Sequence, residues 1–534
     1  MSGNEIATYE YIVVGAGSAG AVVANRLSAA RHRVLLLEAG PVDHPWTRVP
    51  IGYAKLINNP AANWLYSSEP DANTNGRRIP VPRGRLLGGS SAINGSAFVR
   101  GQAQDFDNWA QLGNRGWSYE AVLPYFKRME TFAGGDDAFR GCGGPIEVTN
   151  PTPQAPLFQA LIKAAAEVGI PFNPDYNGAR QDGIAMSQAT IARGRRMSTA
   201  RCYLAPVRRR ANLRIVTGAL TTALLLDGKR CAGVRYRLGD TDREAHATRE
   251  VIVSAGSINS PQLLELSGIG DPQRLGALGI EVRHALAGVG ENLRDHYAPR
   301  TRWAIGAPGL SFRDRARGLG LVREALRFAL TGEGLLSMVA APLRAFVRSR
   351  EGLAGPDLLL GWVPLLYDPG PKVSAQAGMS CYAHPMRPES TGHVHITSSD
   401  PRQPPAITFN FLSAPVDAEL TVRAIRIARA IMTAPAMAEA GLTELAPGIA
   451  RQTDDEILEW VRQAAETTYH PVGTCRMGQD GMAVVDEHLR VRGLEGLRVA
   501  DASIMPTLTS GNTNAPAIMI GEKASDMILA ATAA

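Results

Sequence analysis

The stretch ETTYHPVGTCRMG at 466–478 sets a histidine, His470, between a tyrosine and a proline, and the polar run SGNTNAP follows at 510–516. An imidazole exchanges a proton near neutral pH because its unperturbed pKa is about 6.5. A carboxamide such as Asn514 donates to an oxygen that is losing its proton. The pair therefore reads as a general base with an oxygen-orienting partner. Taken alone, a histidine before proline is more often structural. A second group with chemistry stands near the start of the chain, where Gly15, Gly17 and Gly20 fall in GAGSAG and Glu38 follows Gly20 by 18 residues. Gly15 permits a tight turn, Gly17 with Ser18 lets backbone approach a pyrophosphate, and Gly20 lets helix and strand pack closely. Glu38 is placed to accept from a ribose.

The elements around these residues support that reading. YEYIVV (9–14), the glycine turn, AVVANRLSAA (21–30) and RVLLLE (33–38) spell strand, turn, helix, strand, a β-α-β unit of a parallel sheet. The motif fits NAD as well as FAD at this point. LRIVTG (213–218), ALLLDG (223–228), AGVRYRL (232–238), EVIVSAG (250–256) and LRVADAS (497–503) add strands to the same sheet, and APAIMIGEKASDMIL (515–529) closes it as a helix. Residues 71–101 read as a long ordered loop over a ligand, with helices expected from Ser118 onward and over 156–170. Between 300 and 465 the texture changes: strand-like GHVHITS (392–398) and AITFNFL (406–412) alternate with a helix over 416–436. The expected fold is α/β. A Rossmann-like nucleotide domain at 1–155, 195–300 and 466–534 carries an α+β substrate domain at 156–194 and 301–465, a mostly antiparallel sheet covered by helices.

With 534 residues the chain exceeds the ~250–300 that one core serves, so at least two domains are expected. Its net charge of +6 comes from scattered arginine without a basic block, which argues against nucleic acid. Five dispersed cysteines without a CxxC pair support neither a disulfide framework nor zinc. His393 and His395 share a strand face but lack a third ligand at sensible spacing, so no metal is expected. The apolar runs are too short to span a bilayer, and the N-terminus lacks a signal-peptide pattern, which points to the cytoplasm. One basic amphipathic stretch, FRDRARGLGLVREALRFAL at 312–330, reads as a solvated helix or as a peripheral contact on the inner face of a membrane.

GRLLGGSSAINGSAFVRG (84–101), GSINSPQLLELSGIG (256–270), YHPVGTCRMG (469–478) and VADASIMPTLTSGNTNAPAIMIGEKASDMI (499–528) together resemble the glucose-methanol-choline (GMC) oxidoreductase family. They look most like its bacterial branch of choline, medium-chain alcohol and sorbose dehydrogenases. The resemblance implies FAD held by Gly15, Gly17, Ser18, Gly20, Glu38, Gly88, Gly89, Ser91, Asn94, Ala97, Leu220, Asp501, Asn512 and Thr513. The position that carries a flavin-linked histidine in some relatives is Ile93 here, so the FAD is expected to be non-covalent. His470 and Asn514 match the family's catalytic positions, which implies oxidation of a primary alcohol or polyol by hydride transfer to the flavin, with electrons passed to a quinone or other non-oxygen acceptor. An oxidase making hydrogen peroxide, a non-redox hydroxynitrile lyase and an NAD enzyme are the alternatives. Choline itself is disfavoured, because Pro342 stands where a carboxylate facing a quaternary ammonium is expected, with Arg344 beside it.

Overall fold

The computed structural model describes residues 7–150, 155–367 and 373–533; the reading of the first six residues lies outside them. Strand β1 (Ala7–Val14) leads through the glycine turn into helix α1 (Ser18–Ala29) and strand β2 (Val34–Glu38). All of β2 is buried, as an unbroken apolar run demands when both faces of its sheet are covered. The chain then leaves this layer through helix α2 (Pro156–Glu167) and strand β3 (Gly183–Met186). It returns as β4 (Leu213–Thr217), β5 (Ala219–Asp227), β6 (Arg230–Leu238) and the long β7 (Thr241–Val253), followed by helix α3 (Gly256–Leu266). A second excursion carries β8 (Arg300–Ile305), helix α4 (Gly318–Thr331), β9 (Leu343–Val347), β10 (Leu358–Val363), β11 (Gly378–Pro385), helix α5 (Pro415–Met432) and β12 (Leu442–Ala446). Strand β13 (Leu497–Val499) and helix α6 (Asn514–Ala533) close the first layer.

Among the described residues the first sheet has seven strands in the order β4-β2-β1-β7-β6-β5, with β13 beside the end of β7. β4, β2, β1, the C-terminal part of β7 and β13 run parallel, and β5, β6 and the start of β7 form antiparallel hairpins. Val14, Val253 and Val499 lie in one register row, so Gly15, Ser254 and Asp501 emerge from one edge of the sheet. Crevices at the carboxyl ends of parallel strands are where such sheets bind ligands. The second sheet runs β12-β8-β11-β10-β9-β3, antiparallel throughout. Alternation sorts its two faces. Trp303, Ala345, Leu360, Trp362, Cys381 and Ala383 share one apolar core with Leu161 of α2 and Ala424 and Ala428 of α5. Arg300, Arg344, Leu359, Tyr382 and His384 point the other way, into a cavity between the two sheets.

Two expected strands are corrected. Residues 393–395 and 406–408 pair only with each other as a two-stranded ribbon apart from the second sheet. AITFNFL stops being a strand after 408 because Asn410 and Leu412 take φ of 53° and 61°, left-handed values that no strand continues through. The long helix expected to 436 ends at Met432, ahead of Pro435.

Candidate active site

The cavity between the sheets measures about 1010 Å³, larger than a small alcohol needs by itself and in the range of cofactor sites. At one end it is walled by the glycine turn and the start of α1. The N-cap Gly17 brings no side chain to the first-turn N–H groups, which leaves a helix N-terminus presented for an anion. The two outer glycines are fixed by protein packing: a Cβ on Gly15 would lie 2.5 Å from the Ser254 carbonyl oxygen, and one on Gly20 would lie 2.0 Å from that of Gly15. Gly17 is different. A Cβ there would meet nothing nearer than the Ser254 oxygen at 4.0 Å, and its only room is the cavity itself. A side chain at 17 would therefore project into the cavity.

Glu38, Gly89, Asn94, Ala97, Leu220, Asp501, Asn512, Thr513 and Ser18 also line the cavity, so most residues expected to hold FAD converge. Three do not reach it. Gly20 and Gly88 sit behind the wall, the latter at φ 90°. Ser91 is buried and spent on structure: its hydroxyl donates to the Gly88 carbonyl (2.6 Å), faces the Thr199 hydroxyl (3.0 Å) and accepts from the Thr199 N–H. Glu38 accepts from the N–H groups of Ala16 (3.0 Å) and Gly40 (2.9 Å), and burial pushes its carboxyl up to about 7 against those bonds. Asp501 accepts from the Gly256 N–H (2.8 Å) and the Ser260 hydroxyl (2.6 Å), tying α3 to the end of β13. The buried Arg196 clamps the expected flavin-side loop, donating to the Asn94 carbonyl and side chain and to Ser96. The helix terminus, the carboxylates lining the cavity and the glycine-lined floor fit a dinucleotide such as FAD.

His470 stands on the cavity wall at the other end, and its proton positions follow from its neighbours. His296 Nε2 lies 2.8 Å from the Met386 carbonyl oxygen, an acceptor only, so that nitrogen carries the proton and His296 Nδ1 is a lone pair. His470 Nδ1 is 3.0 Å from that lone pair and 2.8 Å from the Thr468 hydroxyl, and must therefore carry its own proton. That leaves His470 Nε2 as the acceptor. It faces Asn512 Nδ2 at 2.9 Å, while Arg344 Nη1 donates to Asn512 Oδ1 at 2.9 Å and so fixes which way the amide points. Carbonyl, two imidazoles, amide and guanidinium form one chain in which every proton has a single place.

The backbone holds this chain in position. Asp295 accepts from the N–H groups of His296 (2.8 Å) and His470 (2.9 Å) and from the Thr467 hydroxyl, and burial pushes its carboxyl up to about 7. Tyr469 takes a left-handed φ of 71°, with its carbonyl gripped by Arg83 at 2.6 Å. Burial first, then the proximity of His384, Arg83 and Arg344, lowers the His470 pKa well below its ordinary value. His296 is lowered in the same way, by burial, His384 and His470. His384 packs 4.4 Å from the His296 ring and is pushed down to about 4, chiefly by burial. All three rings are neutral at physiological pH.

Asn514 lines the same cavity as His470 but makes no hydrogen bond to it. As the first residue of α6 it points to the glycine turn, where its Oδ1 accepts from the Ser18 hydroxyl at 2.7 Å. Asn512, still in the loop before the helix turns, reaches the imidazole instead. Sequence reasoning also missed Asp295, His296 and His384. NLRDH and CYAHP carry no spacing that singles them out, and His296 and His384 meet His470 only through strand packing.

The remaining wall is the inner face of the second sheet. Arg300, Tyr382, Gly361 and Arg344 face one another in register across four strands. Arg83, Arg302 and Arg344 add to Arg300, whereas at this end the cavity-lining carboxylate is Glu466, 3.6 Å from Arg300. Elsewhere, His395 lies between Glu265 (2.7 Å) and Glu291 (2.9 Å), a buried structural tie remote from this wall.

Known proteins resemble this chain over nearly its whole length. The family model described as GMC oxidoreductase matches residues 9–298 with its N-terminal part and 388–521 with its C-terminal part. An oxygen-dependent choline dehydrogenase of Photobacterium profundum is 41% identical over 536 residues, covering 98% of this chain and 94% of that protein. One of Cronobacter sakazakii is 43% identical over 530 residues, covering 97% and 95%. Among solved structures, pyridoxine 4-oxidase from Mesorbium loti superposes with a TM-score of 0.87 at 30% identity, covering 97% of this chain and 98% of that one. A formate oxidase variant of Aspergillus oryzae RIB40 gives 0.91 at 27% identity, covering 98% of each.

Proposed function

The chain belongs to the GMC oxidoreductase family and is an FAD-binding oxidoreductase, and from that premise we propose that it oxidises a non-cationic alcohol with His470 as the base. The observation that carries this reading is the fixed proton order around His470, which leaves Nε2 unprotonated and facing the cavity. FAD, when bound, supplies the acceptor for the carbinol hydride. Gly17, Ser18, Glu38, Asn94, Ala97, Leu220 and Thr513 are the residues that would hold it. A hydroxyl entering between His470 and Asn512 gives its proton to Nε2 and accepts from the Asn512 amide. Arg344 keeps that amide's N–H turned toward the substrate oxygen, where negative charge grows as the proton leaves. Thr468 and His296 hold the Nδ1 proton, so the imidazole cannot rotate its donor into the site.

The wall charges support a non-cationic substrate. A trimethylammonium group would meet Arg300, Arg302 and Arg344, with the nearby carboxylate already paired to Arg300. Choline is the substrate in the names of the relatives; for this chain we favour a neutral primary alcohol or polyol. For the electrons we favour a quinone or other non-oxygen acceptor, with oxygen as the second reading, since the names of the relatives and structural neighbours include oxygen dependence and oxidase activity.

The test is a panel of alcohols, choline included, scored by anaerobic bleaching of the flavin and followed by admission of air. Bleaching by neutral alcohols and none by choline is expected; fast bleaching by choline alone refutes the substrate reading. Prompt reoxidation with stoichiometric peroxide selects the oxygen reading. His470→Ala should keep its flavin and slow bleaching by at least ~10²-fold. Near wild-type bleaching in that variant removes His470 from the mechanism.

A further inference from the structure

Helix α4 is built inside out. Leu319, Val322, Leu326 and Leu330 are 88%, 55%, 60% and 85% exposed, whereas Glu324 is 7% exposed. At 3.6 residues per turn the four apolar side chains fall within about 80° of the helix circumference. Arg323 and Arg327 border the stripe on one side. Glu324, the helix's sole carboxylate, faces inward, where it accepts from Arg315 Nε and the Leu335 N–H, each at 2.7 Å. The helix's own outward surface is thus apolar and cationic, with exposed carboxylates only at its ends, where Glu333 meets Arg327 and Asp314 meets Arg313. Arg313, Arg315 and Arg317 continue the basic character just before the helix.

We propose that α4 docks this enzyme on an anionic lipid surface, its leucine stripe in the acyl boundary and its arginines among the headgroups. An exposed apolar stripe flanked by arginine is the composition of helices that lie in a bilayer interface. Among the described residues no helix is long and apolar enough to cross a membrane, so the contact is peripheral. A second copy of the chain fits the stripe poorly. Self-packing would bring Arg323 and Arg327 against their own copies, and the stripe offers four apolar side chains where a stable interface uses about 20–30 residues a side.

The helix is also close to the cavity in the chain. It ends at Gly332, passes the short turn Leu335–Ser337, which packs on Pro50–Gly52, and reaches Ala340 and Ala341 of the cavity wall. Tyr53, directly after Pro50–Gly52, lines the same wall. Docking therefore holds that wall beside the lipid phase, the phase that carries lipid-soluble acceptors and alcohols.

The experiment floats the full-length flavin-loaded protein with vesicles of phosphatidylcholine alone, or of phosphatidylcholine with one-third phosphatidylglycerol. It should float with the anionic vesicles and stay behind with the neutral ones. Leu326→Glu with Leu330→Glu should cut the floated fraction at least about tenfold, with flavin content and melting temperature unchanged; Leu319→Glu serves as the readout if the double variant loses flavin. Arg323→Gln with Arg327→Gln should weaken flotation and flatten its salt dependence. Failure of the wild type to bind anionic vesicles at low salt overturns the proposal, as does undiminished flotation of the leucine variants. So does a wild-type dimer in sedimentation that the leucine variants convert to monomer, which gives the stripe to a second copy. None of these readouts uses turnover, so the substrate reading stands or falls separately.

Discussion

Exchanging the roles of two asparagines gives the sharpest test of the site. Asn512 donates to His470 Nε2 and accepts from the fully buried Arg344, both at 2.9 Å; Asn514 accepts one bond from Ser18 at 2.7 Å. Asn512→Ala removes the donor that would meet the substrate oxygen as its charge grows. Loss of one such preorganised donor costs about 10²–10³ in rate, or about 2.7–4 kcal/mol. It also strands Arg344 Nη1 in a buried site, for about 1–3 kcal/mol of stability. Asn514→Ala loses one hydroxyl–amide bond, worth about 0.5–1.5 kcal/mol, and no contact with His470. Rapid-mixing measurement of anaerobic flavin bleaching at saturating alcohol, with flavin content and melting temperature read on the same samples, separates the two. Expected is a loss of about 10²-fold or more for Asn512→Ala and less than about tenfold for Asn514→Ala. If Asn514→Ala is the slower variant, the proton chain derived around His470 does not operate in catalysis.

Burial and the neighbouring cations favour neutral His470, so its protonation requires a pH below the ordinary value of about 6.5. The rate of flavin bleaching should therefore stay level from about pH 8 down to about 6.5 and fall only below that; an acid limb centred above 7 contradicts the assignment. Gly17→Ala should yield a folded protein with little flavin, because its Cβ meets no protein atom inside 4.0 Å and can only enter the cavity. Gly20→Ala should instead lose soluble yield or melting temperature, since its Cβ would lie 2.0 Å from the Gly15 oxygen and overpacking costs about 1–3 kcal/mol or more. Equal flavin occupancy in Gly17→Ala and wild type refutes that division. Glu38→Ala should lower flavin retention on gel filtration, by removing both the ribose acceptor and the bonds to Ala16 and Gly40; full occupancy after dilution contradicts it.

The β-α-β unit with Gly15, Gly17, Gly20 and Glu38 was legible from sequence because each of its constraints is local. The turn needs its glycines, the strand its apolar run, the helix its period, and all lie within the first forty residues. The parallel core was legible for the same reason, through its apolar runs; the second sheet was expected to be mostly antiparallel, but the two strands read for it lie outside it. The short pieces at 393–395 and 406–408 were misplaced because a three-residue strand carries no information about its partner; Asn410, a residue type that favours left-handed φ, was read through as strand, and positive φ at Leu412 leaves no trace in residue type.

His470 itself was readable in its motif, but its surroundings were not. His296, Arg344, His384 and Asn512 come from four segments, and only the register Arg300–Tyr382–Gly361–Arg344, together with the packing of that sheet against the first, brings them to one imidazole. Whether Asn512 or Asn514 faces His470 depends on where α6 begins, since a helix start redirects a side chain over two residues. Sequence determined which chemical groups the chain owns and the local turns that present them. Tertiary structure decided which of those groups touch, because contacts between distant segments are set by sheet register and layer packing, and neither is written in any one stretch of residues.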